Sequence, residues 1–212
     1  MLIIHYPQPT KFDIGLSCIR EAGYLLQKGV TANSLIEKRL KMIDAILFCI
    51  KYPDCHTDNH KRLVDAAIEY YREFSKLVQA VQNNPYGLFL RVYCTHPITT
   101  VDDVPLQISW TSSVSLTGYV ENFQALPVHD LMFELAMTMS VISIGYLNMA
   151  TRHEYKEQAH KDAINCYVRA SIFANIAKSL SNRCSTTAQS AVVELTNGAA
   201  AMVAISPMAY TN

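Results

Sequence analysis

A run of seventeen residues without a single charge, Leu135 to Thr151, constrains this chain more than any other feature. The wider segment Leu131 to Ala150 carries apolar residues on every side of a helical wheel, so it must be enclosed by protein or by lipid. Thr138, Ser140, Ser143 and Asn148 lie within it and Glu134 near its start, which makes it more polar than a membrane span. No aromatic or basic anchors flank it symmetrically. The expectation is therefore a long central helix buried in protein, with no transmembrane segment. His129-Asp130 stands just before it, where the Asp130 carboxylate suits an N-cap and complements the helix dipole.

The rest of the chain supplies elements to surround such a helix. From Phe12 to Gln27 the residues Phe12, Leu16, Ile19, Leu25 and Leu26 recur near helical spacing, and Gly29 marks an end. Thr31 and Ser34 offer N-caps, Ser34 with Glu37 in a capping-box pattern. Leu35, Ile36, Leu40, Ile43, Ile46, Leu47 and Ile50 then predict a second helix that stops before Pro53. After the polar break Asp54 to Asn59, a stripe from Leu63 through Ala67, Tyr71 and Phe74 to Val81 predicts a third, ending near Asn83-Asn84-Pro85.

Between Pro85 and Pro127 the period changes. Leu88 to Tyr93 and Leu106 to Trp110 favour β structure and predict strands of a small sheet. Beyond the central helix comes the polar stretch Thr151 to His160. Ala163, Tyr167, Ala170, Phe173, Ala174 and Ala177 then define another helix, with small residues that permit close approach. The last element, Thr186 to Ile205, is small and apolar, interrupted by Gly198 and stopped by Pro207. At 212 residues, with no repeat or low-complexity linker, the chain fits one domain, 1–212.

Eighteen basic and eighteen acidic residues leave no net charge, and no Lys/Arg cluster stands out. That argues against nucleic acid or anionic lipid as the main partner. The opening MLIIHYPQPTKFD has no basic region ahead of an apolar stretch and no small-residue cleavage site, which favours a cytoplasmic location. Most of the six scattered cysteines, Cys18, Cys49, Cys55, Cys94, Cys166 and Cys184, are expected to be reduced core thiols.

No catalytic constellation is visible. G-x-S-x-G, the P-loop and G-x-G-x-x-G are all missing, and no cysteine stands near a histidine in an electropositive setting. Cys49, Cys55, His56 and His60 form the best metal candidate, since thiolate and imidazole suit zinc. Their spacing matches no standard zinc pattern, and Cys49 belongs to a helix while the others lie in a polar connection. No metal and no cofactor are expected.

Several strings are collinear with one family. HYPQPTKFDIGLSCIREAGY looks like an entry strand and first helix. KRLVDAAIEYYREFSKL carries paired tyrosines, LQISWTSS a strand tryptophan, and Phe133-Glu134-Leu135-Ala136 opens the long run that continues into DAINCYVRASIFANIAKSL. Together they resemble the BRO domain of Alix- and rhophilin-type adaptors, over its N-terminal half to two-thirds. The chain departs from that pattern at Thr111, Ser112 and Ser113, where an acidic residue is usual, and in MTMSVISIG after Ala136. A BRO domain is longer, so by this resemblance the chain is truncated on its C-terminal side.

The fold expected is mainly α, an array of helical hairpins, solenoid-like, with a small β-sheet inserted before the long buried helix. What the resemblance implies is a non-enzymatic adaptor of endosomal (multivesicular body) sorting. It would bind the amphipathic C-terminal helix of an ESCRT-III-type protein and be recruited peripherally to endosomes. A tetratricopeptide-like interaction module, to which AINCYVRAS is also similar, or a structural subunit without ESCRT-III binding, is the alternative. The resemblance also implies that a family-length domain would cover Ala199 to Met208 with further helices that this chain does not supply, which makes Met202, Ile205 and Met208 the candidate contact surface, for a partner helix or for a homodimer.

Overall fold

The structure, a computed structural model, describes residues 2–4, 6–13, 32–53, 55–83, 107–110, 114–116, 130–154, 160–186 and 188–192. These residues form the strands β1 (Leu2–Ile4) and β2 (Pro9–Asp13), the helices α1 (Ala32–Lys51) and α2 (Thr57–Asn83), the strands β3 (Gln107–Trp110) and β4 (Val114–Leu116), and the helices α3 (Leu131–Glu154) and α4 (His160–Ser181). Helical backbone resumes briefly at 186 and 188–192. The mainly helical character expected from the pattern is present.

Each helix packs against the next, α1 on α2, α2 on α3 and α3 on α4. Pairings along the seams give the direction. Lys38 meets Glu73 and Lys41 meets Glu69, while Cys55, just past α1, bonds His60 at the start of α2, so α1 and α2 are antiparallel. Tyr70 meets Glu134 while Arg152 reaches back to Cys55, so α3 runs against α2. Ser143 bonds Ala170 and Asp130 bonds Ser185, which makes α4 antiparallel to α3.

α3 sits at the centre. Every residue from Met132 to Gly145 is buried, and the largest enclosed side chains include its Phe133, Met137, Ile142 and Ile144. Full burial of each such side chain stabilises the fold by about 1.5–3 kcal/mol. By length and composition Leu131–His153 could cross a membrane, but 89% of its most apolar window is buried inside the protein, as for a core helix. The hydroxyls that make it unlike a span are satisfied internally. Thr138 donates to the Glu134 carbonyl at 2.8 Å, Ser140 to Ala136 at 3.0 Å and Ser143 across to Ala170 on α4 at 2.7 Å. The buried alanines Ala163, Ala170 and Ala177 line one face of α4 and let the two backbones approach that closely. Asp130 caps α3 as expected: its Oδ1 accepts from the Met132 amide at 2.8 Å, and its Oδ2 from the Ser185 amide at 2.7 Å.

The β structure departs from the expectation in its pairing. β3 and β4 do precede α3, but each pairs antiparallel with an N-terminal strand, β1 with β4 and β2 with β3. The register runs from Leu2 opposite Leu116 to Asp13 opposite Gln107, with an irregularity between Pro9 and Lys11. Proline cannot donate to a ladder, so Pro9 falls where the pairing shifts. The expected helix from Phe12 is corrected at its start: Phe12 and Asp13 belong to β2, opposite Ile108 and Gln107. Strand pairing across some hundred residues overrides the local helical spacing there. The remainder of that expected helix, and the expected strand Leu88 to Tyr93, lie outside the described residues. α1 begins at Ala32, so Ser34 lies within its first turn and the Ser34–Glu37 pair does not mark the helix start.

Candidate functional site

Three features could carry function: a buried carboxylate, a thiol–imidazole cluster and an exposed apolar face.

Glu134 lies in the first turn of α3 and is completely buried. Its Oε1 accepts from Arg39 Nε at 2.8 Å and from the Tyr70 hydroxyl at 2.9 Å, and its Oε2 accepts from the Trp110 indole at 2.6 Å. α1, α2, β3 and α3 thus meet at one carboxylate. Burial works against the charge of Arg39, but the adjacent Glu134 and Tyr70 hold its pKa above the usual value. Burial, and then the Glu134 charge, push the Tyr70 hydroxyl well up. A carboxylate so occupied by three donors and closed to water acts as a tie between elements, with ion pair and hydrogen bonds compensating the desolvation. Of the paired tyrosines, Tyr70 is core and Tyr71 half-buried.

The second cluster forms where α1 turns into α2. Cys49 in the last turns of α1, Cys55 in the connection and His60 in the first turn of α2 place their ligand atoms within 4.8 Å of one another. Cys55 Sγ lies 3.5 Å from His60 Nε2, and the other ring nitrogen, Nδ1, lies 2.7 Å from the Tyr6 hydroxyl. The Tyr6 and His60 rings stack with centroids 5.9 Å apart. Arg152, in the last turn of α3, holds the connection in place by donating to the carbonyls of Cys55, Pro53 and Asn148. Burial, then Cys55, push the Cys49 thiol up to about 12, and burial, then Arg152, lower His60 to about 4. The sequence names four candidates here, and the structure unites three of them. His56 stands apart, exposed and 3.1 Å from Asp58. The separation of Cys49 from Cys55 and His60 expected along the chain is thus corrected by the hairpin, which closes it.

The third feature is on α1, whose apolar residues divide into two stripes. Leu35, Met42, Ile46 and Cys49 are buried, whereas Ile36, Leu40 and Leu47, each one position away from a buried neighbour's repeat, are exposed, Leu40 by 54%. Phe48 and Tyr52, in contact at 4.9 Å, are exposed as well. α4 shows a shorter stripe, Ile164, Val168 and Ile172. The sequence pattern contains these residues without separating the covered from the uncovered. A signal was present in two sets of apolar residues, each at helical spacing and offset by one. The candidate contact residues Met202, Ile205 and Met208 lie outside the described residues.

Comparison of the chain with protein-family models, with curated proteins and with solved structures finds no match.

Proposed function

We propose that this chain is a non-enzymatic, protein-binding module of endosomal sorting, built as a solenoid-like array of helical hairpins, which receives an amphipathic helix of an ESCRT-III-type subunit. The observation that carries this reading is the second apolar stripe of α1, Ile36, Leu40 and Leu47, exposed beside a helix face that is already filled. A partner helix presenting apolar residues at three- and four-residue spacing would fit such a stripe.

Met202, Ile205 and Met208 remain a second contact surface in this proposal, for the same partner or for a homodimer. The location that follows is cytoplasmic, with peripheral recruitment to endosomes. A structural subunit or tetratricopeptide-like module is the second reading, and the exposed Ile164, Val168 and Ile172 of α4 favour it to the extent that they form a subunit contact. Immobilised C-terminal helices of ESCRT-III subunits, offered to the full chain, discriminate between the two. Specific capture is expected from the first reading. Self-association with no capture by any of the helices would favour the second.

A further inference from the structure

We propose that Cys49, Cys55 and His60 form a three-donor site for a thiophilic divalent cation of the zinc class, stapling the α1–α2 turn to the N-terminal segment through Tyr6. Two sulfurs and an imidazole nitrogen are a donor set that zinc accepts. Tetrahedral zinc with ordinary bond lengths holds neighbouring S and N donors about 3.5–3.8 Å apart. Cys55 Sγ and His60 Nε2 already stand at 3.5 Å, and all three ligand atoms fall within 4.8 Å. A small inward movement of Cys49 therefore completes the set.

The surroundings suit a ligand set better than a chance cluster. A ligating histidine needs its second nitrogen fixed by a partner, which orients the ring and sets the tautomer. Tyr6 does this at Nδ1, 2.7 Å away, leaving Nε2 turned towards the sulfurs. Arg152 fixes the backbone on either side of the loop, at Pro53 and Cys55, so the thiol of Cys55 is positioned by α3 as well as by its own chain. Two thiolates and a neutral imidazole balance a divalent cation, so the guanidinium nearby meets a site with no net positive charge. Cys49 and His60 are buried while Cys55 is half-buried, which gives an ion a way in from the Cys55 side. Three protein donors leave one tetrahedral position for water or another ligand. The sequence expectation of no metal rested on non-standard spacing. A helical hairpin brings the donors together here, where a zinc knuckle would require closer spacing.

Cobalt(II), which absorbs where zinc is silent, tests the site in the full chain purified reduced and stripped of metal. One equivalent should bind with a thiolate-to-cobalt charge-transfer band, and zinc should displace it. Cys55→Ser should abolish that band, Cys184→Ser should leave it intact, and Tyr6→Phe should weaken zinc binding about 10–100-fold. A zinc-protection assay on the unmutated chain keeps the test independent of whether Cys55→Ser folds. Zinc should slow the reaction of the half-buried Cys55 with a thiol reagent. No cobalt uptake, a band that survives Cys55→Ser, or thiols equally reactive with and without zinc would each overturn the proposal.

Discussion

The indole nitrogen of Trp110 donates to Glu134 Oε2 across 2.6 Å, tying β3 to the first turn of the central helix where no water reaches. With Arg39 and Tyr70 on the other oxygen, the carboxylate is shared by four elements. Removing one partner of such a buried pair strands the other, which costs about 3–5 kcal/mol. Glu134→Ala should therefore lower the unfolding free energy obtained from urea melts by an amount of that order, with a matching fall in the midpoint. Opening the exposed Lys41–Glu69 pair with Glu69→Ala should cost less than about 1 kcal/mol, because water and salt already screen it. Equal midpoints for the two variants would mean that Glu134 is not the tie described.

Ile144 is 1% exposed, inside the fully buried stretch of α3. Ile144→Asp should prevent folding, since an unpaired charge in that position is severely unfavourable. Ile144→Val should cost only about 0.5–1.5 kcal/mol. Thermal melts read both. An Asp variant melting at the wild-type temperature would place α3 at a surface.

Gly145 is buried in the middle of α3, where a helix would ordinarily gain about 1 kcal/mol from alanine. A Cβ there would collide with Val64 Cγ2 on α2, a side chain that is itself buried. The clash decides the sign. Gly145→Ala should destabilise by about 1–3 kcal/mol, and adding Val64→Ala should recover part of that loss. Denaturant melts of the single and double variants measure the coupling, and purely additive losses would contradict the close approach.

Local pattern carried the helices well because their burial is periodic: α2 and α4 follow the stripes through Phe74 and Ala170, and α3 follows the charge-free run. Long-range pairing was not legible. Nothing near Phe12 announces Ile108 as its strand partner, and helical spacing from Phe12 to Leu16 and Ile19 masked the extended start of that segment. The same is true of the sites. Tyr70, Trp110 and Glu134 stand out singly, but that they share one carboxylate depends on how α1, α2 and β3 pack. Cys49, Cys55 and His60 are brought together by the turn between two helices, which ligand spacing along the chain does not describe. On α1, residues one position apart fall on covered and uncovered faces, a distinction that hydrophobicity alone does not make.

Binding of a partner helix is the central claim, and titration calorimetry of the full chain with synthetic C-terminal helices of ESCRT-III subunits tests it most directly. Leu40 is well exposed, so Leu40→Asp should leave the melting temperature nearly unchanged. Saturable binding of at least one helix is expected, weakened by about 1–3 kcal/mol in the Leu40→Asp variant. Absence of binding to every helix, or affinity untouched by Leu40→Asp, would contradict the account.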